Sequence, residues 1–464
     1  MHLLKFQSHT RVSGSGLLAV VLICVSMFLG ECVGKEDNLL DPRELLFGDS
    51  DTLVSPLDTS ISPPDTTLDT ASVLLNIPVT DSIENVQPMT GIVYWTTSSA
   101  VNSEAISLEF SYMLFDAVVQ DSGEYDWAPV EAKLNAVSAR GHHAIFRFRY
   151  VYPGYQTSVP AYIKALDDYH ETVGLSEGRN THFPDWTHAE LKRFTLEFQE
   201  RFAQQYDRDP RLAFVQVGFG LWAEYHIYDG PFILGATFPS KAFQAEFFQH
   251  MNGVWLNVPW SISIDAADPT YSPFTQQTAL LEIPFGVFDD SFMHEQHANW
   301  NLGNWNFFSR ERYRHAPAGG EFSYYTTYDQ RNVLTPVTGA HGSSFEEWAQ
   351  DFHITYMLGN DQPDYQAEAR IKEASMAAGY RFQITAFSAN SDSSRVSITN
   401  VGVAPFYYDA YVAVNGVQSS ESLKHLSAGD TLQLEIPAGG YAPSLSIVSD
   451  KLLPGREIEF EGSH

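Results

Sequence analysis

The sequence predicts an α/β fold: a (β/α)8 TIM barrel followed by a small C-terminal antiparallel β-sandwich. Three observations predict it. From Gly91 to about Tyr380, short apolar runs alternate with helical stretches, the pattern of a parallel sheet wound with helices. Close to eight such units fit in under about 300 residues, near the usual barrel length of about 250. Beyond Tyr380 the helical spacing stops, and short alternating runs take over, divided by Gly, Asn, Asp and Pro. A doubly wound open sheet usually announces a glycine-rich phosphate loop after its first strand, and none stands there. The expected organisation is 1–32 a signal peptide, 33–86 a disordered linker, 87–379 the barrel and 380–464 the sandwich.

The N-terminal segment reads as an export signal. Lys5 and Arg11 precede an apolar run from Leu17 to Leu29, followed by small or polar residues. The run is short for a membrane span. Cys24 and Cys32 are the two cysteines, both in this segment, so the remainder has no disulfide framework and no cysteine metal site. Cys32, with Leu29 and Gly30 before it, is a candidate lipid anchor, although Glu31 stands where that signal expects a small residue. The body is therefore expected outside the cytoplasm: secreted, periplasmic or on the outer cell surface. "SPLDTSISPPDTTLDT" has a linker's composition and no sustained period.

The barrel elements follow in order. "GIVYW" and "ISLEFSYML" read as the first two strands. "APVEAKLNAVSARG" sets Val130, Leu134 and Val137 at helical spacing and stops at Gly141. "HAIFRFRYVY" is a strand, "HAELKRFTLEFQERFAQQY" an amphipathic helix and "LAFVQVGF" the fourth strand. "KAFQAEFFQHMNGVW" is a helix; "WSISIDAA", "IPFGVFDDSF" and "AGGEFSYY" carry further strands. "FEEWAQDFHITYML" and "YQAEARIKEASMAAGY" complete the set. "RFQITAFSA", "RVSITNVG", "YYDAYVAVN", "DTLQLEIP" and "SLSIVSD" build the sandwich.

A net charge of −30 argues against nucleic acid as a partner, which needs a basic footprint, and against adhesion to an anionic membrane. Aromatics make up 14% of the chain, and rings with polar edges suit the faces of sugars, although most rings in any protein are core.

Barrel active sites form at the C-terminal ends of strands. Glu224 stands near the end of strand four in "VQVGFGLWAEYH". If that strand stays regular, Gln216, Gly218, Gly220, Trp222 and Glu224 share one face, and Trp222 floors the site. Capping a helix or pairing with an arginine is the competing reading of Glu224. Glu321 in "PAGGEF" lies about three β/α units further on, at roughly 31 residues per unit, which puts it on strand seven. Gly319 and Gly320 are expected to open the backbone to a ligand. Paired carboxyl groups are what glycosidic cleavage requires: one donates a proton to the leaving oxygen, and the other attacks or stabilises the oxocarbenium-like centre.

"GEYDWAPVEAKLNAVSARGHHAIFRFRY" resembles the second helix and third strand of clan A glycoside hydrolases, the β-galactosidase- and cellulase-like barrels. Gly123, Tyr125, Asp126 and Trp127 match their "G-x-Y-D-W" entry, and "YDRDPRLAFVQVGFGLWAEYH" resembles their strand four. The nearest likeness is to a bacterial barrel-plus-β-sandwich family of unknown function that carries "G-x-W-G-E-W-H" and a later "G-G-E". It covers about Gly91 to Phe460. The resemblance implies an acid/base at Glu224, a nucleophile at Glu321 and retention of anomeric configuration. It departs at Ala223, where most of the clan has an asparagine that contacts the sugar 2-hydroxyl.

Arg147 and Arg149 alternate on one face of "IFRFRY"; one is expected to reach the nucleophile carboxylate. His226 is expected to orient Glu224 or touch sugar. Asp289 and Asp290 end a strand, to bind hydroxyls or cap the next helix. Trp300 and Trp305 are expected as sugar platforms on a loop. His294, Glu295 and His297 are ligand types, but not at the spacing of a helical zinc pair. Arg310, Arg312 and Arg314 join Arg147 as the cations a sulfated substrate would need. The reading is a secreted glycoside hydrolase acting on a poly- or oligosaccharide, with no cofactor and no metal. The alternatives are a non-catalytic glycan-binding barrel and a metal-dependent hydrolase.

Overall fold

The computed structural model describes residues 73–463. The export signal, the candidate lipid anchor at Cys32 and most of the expected linker lie outside the described residues.

Eight parallel strands close into a barrel: β1 Gly91–Trp95, β2 Leu108–Leu114, β3 His143–Arg149, β4 Leu212–Val217, β5 Trp260–Ser263, β6 Gly286–Phe292, β7 Ala318–Phe322 and β8 Tyr356–Leu358. Tyr356 pairs with Gly91 and completes the ring. The strands are buried on both faces, as an all-parallel sheet covered by helices must be. The helix Ala128–Ser138 buries Val130, Leu134 and Val137, each contributing about 1.5–3 kcal/mol over exposure. The helix Ala189–Tyr206 buries its Phe194, Phe198 and Phe202 stripe. Ser344 caps Phe345–Phe352 in a reciprocal box with Glu347 and fixes the approach to β8. A hairpin absent from the sequence reading, Thr172–Ser176 with Arg179–Phe183, lies between β3 and the helix Ala189–Tyr206.

The C-terminal region forms two antiparallel-paired sheets. One joins Phe382–Ala389, Ser394–Asn400 and Thr431–Ile436, with Phe460–Gly462 added in parallel at its side. The other joins Tyr411–Val414 to Val417–Gln418 and Leu445–Val448. This sandwich seals the N-terminal end of the barrel. Tyr407 and Tyr408 share a buried cluster with Phe110, Ile145 and Phe214 from inside it. The Tyr408 hydroxyl donates to the Ala213 carbonyl, Arg456 Nε to the Gly141 carbonyl at 2.8 Å, and His143 Nε2 lies 3.0 Å from the Lys451 carbonyl. These groups all stand where barrel strands begin.

The linker reading needs correction at its C-terminal end. Leu75–Asn76 pairs antiparallel with Phe382–Ala389, and Ile77 and Val79 pack on the sandwich core. The two-residue spacing of Ile77 and Val79 gives this short run one apolar face, which a composition-level reading passes over.

Candidate active site

Arg147 organises the C-terminal end of the barrel. It points inward from β3, and its side chain is only 1% exposed. Its register neighbours, Tyr112 on β2 and Gln216 on β4, flank it. Arg147 Nε donates to Gln216 Oε1 at 2.8 Å, and Gln216 is held in turn by donating to the Tyr356 hydroxyl at 2.6 Å. The guanidinium lies 4.2 Å from the centroid of Phe288. Its two terminal nitrogens donate to two different carboxylates: Nη1 to Glu224 Oε1 at 3.2 Å and Nη2 to Glu321 Oε1 at 3.1 Å. Glu321 projects from β7, as its spacing predicts.

Glu224 reaches the same point by another route. β4 ends at Val217, and the chain folds back on itself. Phe219 and Gly220 N–H both donate to the Glu224 carbonyl, at 3.1 and 2.8 Å, and Leu221 N–H donates to the His226 carbonyl at 3.0 Å. Trp222 and Ala223 turn the corner in the left-handed region, at φ 54° and 57°. A Cβ at Gly218 or Gly220 would collide with the carbonyls of Ala223 and His226, so only glycine admits this fold-back. The expected regular strand is therefore wrong past Val217. Trp222 does not floor the site; it stacks on Tyr228, with centroids 6.0 Å apart. Ala223 is fully buried at the corner, so that position offers a sugar no contact.

Beside Glu224 opens a cup of about 290 Å³, lined by His226, Tyr228, Asp265, Asp290, Trp300 and Tyr325 among others. His226 Nδ1 donates to Asp265 Oδ2 at 2.5 Å, while its Nε2 lies 3.7 Å from Glu224 Oε2. Ligand-type atoms of Glu224, His226 and Asp290 lie within 4.8 Å of one another.

Burial crowds protons into this region. It pushes the Glu224 carboxyl well above its usual range; Asp290 adds to the push and Arg147 opposes it. Burial also raises Glu321, but there Arg147 opposes through both charge and hydrogen bond. Asp290 is raised to about 7 by burial and by Asp265, against the pull of His226. His226 is raised overall, because the charge and hydrogen bond of Asp265 outweigh the effect of burial.

The remaining candidates divide. Arg149 stays at the rim, its guanidinium 4.6 Å from the Tyr152 centroid, and makes no ion pair among the described residues. Asp290 faces the cup, but Asp289 does not. Both Asp289 oxygens are taken, by Ser291 N–H at 2.9 Å, Asn301 Nδ2 at 2.8 Å and Trp305 Nε1 at 3.0 Å, which ties β6 to the helix Ala298–Phe307. Trp305 is thus a buried structural ring, 3% exposed, not a platform. Trp300, on the same helix, is 59% exposed and does line the cup. His294, Glu295 and His297 do not converge. His294 Nδ1 donates to Asp329 Oδ2 at 2.7 Å, His297 Nδ1 lies 3.0 Å from Ser291 Oγ, and Glu295 is exposed. Gly319 makes room for the Tyr356 ring and Gly320 for the Asp289 carbonyl, not for a ligand. Arg312 donates to the carbonyls of Leu281 and Ile283, Arg314 pairs with Glu311, and Arg310 covers Phe352; none lines the cup. Sequence reasoning missed Asp265, Tyr228 and Tyr325. Asp265 had a signal, standing just past the end of β5.

No protein-family model matches the chain, and no curated protein matches it in sequence. Solved structures do resemble it. The catalytic domain of a β-amylase from Paenibacillus polymyxa aligns at 9% identity over 63% of this chain and 99% of that one, with a TM-score of 0.39. An α-galactosidase from Thermus thermophilus aligns at 12% identity over 68% of this chain and 66% of that one, with a TM-score of 0.37. A trimodular GH5_4 subfamily endoglucanase aligns at 11% identity over 82% of this chain and 78% of that one, also at 0.37. Likenesses this distant carry no argument about the chemistry of this chain, which rests on its own residues.

Proposed function

We propose that the chain is an exported glycoside hydrolase that cleaves poly- or oligosaccharides with Glu224 as acid/base and Glu321 as nucleophile. One observation carries the reading: a single buried guanidinium holds both carboxylates at the open end of the barrel. Two hydrogen bonds and the width of one guanidinium set an upper bound of about 9 Å between the bonded oxygens, which does not exceed the widest spacing at which carboxyl pairs cleave glycosidic bonds. The environments also differ in the useful direction. Arg147 is the main neighbour of Glu321 and favours its ionised form, ready to attack the anomeric carbon. Glu224 has Asp290 and Glu321 against it and keeps its proton for the leaving oxygen. The rings of Tyr228, Trp300 and Tyr325, which line the cup, offer faces on which sugar units stack. The resemblance to clan A barrels favours retention.

Hydrolysis of a broad polysaccharide panel, read by product mass spectrometry and by the anomer first released, tests this. Glu224→Gln and Glu321→Gln should each abolish nearly all turnover with the fold intact, and azide should partly rescue Glu321→Ala. Near-normal turnover in either Gln variant would overturn the assignment. Glycan binding without turnover by the natural chain would favour the non-catalytic barrel.

A further inference from the structure

The proposed hydrolysis uses Glu224 and Glu321 and leaves His226, Asp265 and Asp290 without a task. His226 is 8% exposed, and its Nε2 is buried with no hydrogen-bond partner. A buried imidazole nitrogen left unpaired is costly unless it has a ligand to meet. Its direction is fixed: Nδ1–H donates to Asp265 at 2.5 Å, so in the neutral ring, the form that binds an ion, Nε2 carries the lone pair, and it lies 3.7 Å from Glu224 Oε2. A carboxylate holding one ring nitrogen so that the other can bind an ion is the usual outer support of a metal-bound histidine. Asp290 supplies a third donor, with all three ligand atoms inside 4.8 Å. Donors at 2.0–2.2 Å from one ion lie about 3.3–3.6 Å apart, so the His226–Glu224 pair already stands near that spacing. Four carboxylates, Glu224, Glu321, Asp265 and Asp290, meet here, with Arg147, His226 and His297 as the facing bases.

We propose that Glu224, His226 and Asp290 form a site for a divalent transition-metal ion, with Asp265 as the residue that orients His226, and that the bound ion inhibits hydrolysis. One nitrogen and two oxygens favour Zn2+ or a neighbour in its series over Mg2+ or Ca2+, which prefer all-oxygen sites. Inhibition follows because the ion occupies the carboxyl that would donate to the leaving oxygen. That half rests on the hydrolase reading of Glu224; the metal site itself does not.

The test uses the whole chain stripped with EDTA and titrated calorimetrically with ZnCl2, with MgCl2 as a control. One Zn2+ per chain is expected, with a higher melting temperature and an X-ray absorption fine structure that carries only nitrogen or oxygen donors in its first shell and the outer-shell scattering of one imidazole. Asp265→Asn should weaken binding about 10–100-fold, and His226→Ala by more than that. His294→Ala, in the neighbouring histidine cluster, should bind as the natural chain does. Absence of stoichiometric Zn2+ binding, or binding that survives His226→Ala or vanishes in His294→Ala, overturns the site. If His226→Ala fails to fold, the absorption spectrum of the natural chain decides: absence of imidazole outer-shell scattering overturns it. For the second half, Zn2+ should suppress hydrolysis and EDTA restore it. Activation by Zn2+ keeps the site and overturns the inhibition. Zn2+ bound by a chain that hydrolyses no glycan supports the site and counts against the hydrolase reading instead.

Discussion

The two ends of strands β2 and β3 both bury carboxylates, and they do so in opposite ways. At the N-terminal end Glu109 is fully buried between two bases. Arg140 grips both its oxygens, at 2.8 and 2.6 Å, and His142 Nδ1 lies at 2.9 Å. The sandwich closes this end. At the C-terminal end the ratio inverts: Arg147 stands between Glu224 and Glu321, with Asp265 and Asp290 close by and the imidazoles of His226 and His297 beside them. Charge that is balanced holds a fold together. Charge left in acid excess keeps protons on carboxyl groups that would otherwise lose them, the arrangement a proton-donating site needs.

Substitution separates the two ends, and turnover shows the largest difference. Glu224→Gln removes a proton donor worth about 10²–10⁴-fold in rate, and Glu321→Gln costs at least as much. Glu109→Gln should leave kcat per folded molecule unchanged. A matching loss in Glu109→Gln would break the comparison. Stability should reverse the order. Breaking the Glu109 ion pairs leaves Arg140 and His142 without their carboxylate and should cost about 3 kcal/mol in a urea titration. Glu224→Gln relieves the crowded end and should be neutral or stabilising by about 1 kcal/mol.

The pH dependence of stability sharpens the contrast further. His143, buried where β3 meets the sandwich, is pushed down by burial from 6.5 to about 4. Its neutral form is the folded one. Above pH 6.5 it has no effect on stability; as pH falls from 6.5 towards 4 only the unfolded chain takes the proton, and up to about 3 kcal/mol is lost. Subtracting the His143→Gln melting profile from that of the natural chain should isolate this loss; parallel profiles would refute it. The smallest effect is expected at the sandwich edge. Truncation after Thr80 should cost about 1 kcal/mol more than truncation after Ser72, because it removes the pairing of Leu75–Asn76 and the packing of Ile77 and Val79.

The barrel was legible because apolar strands and amphipathic helices alternate along the chain; the strands start at uneven intervals, but the average interval from Glu224 placed Glu321 on β7. Other features were hidden for definite reasons. Two non-glycine residues in the left-handed region at Trp222 and Ala223 have no sequence signal, so the strand was extended too far. Alternation says that only one of Asp289 and Asp290 faces inward, not which. Trp300 and Trp305 sit five residues apart; on a helix that is well over a third of a turn off, and the segment was read as a loop. The hairpin at Thr172–Ser176 was readable in part, from its Glu177-Gly178 turn. Asp265, just past the end of β5, lines the cup, but its hold on His226 Nδ1 could not be read from spacing.

The loop that carries Glu224 is fastened by main chain to main chain. Its stacked rings, Trp222 and Tyr228, take no part in that fastening. For a chain that hydrolyses glycans as proposed, the ring of Tyr228, which lines the cup, can therefore be changed without moving Glu224, which leaves the preference for a sugar separable from its cleavage.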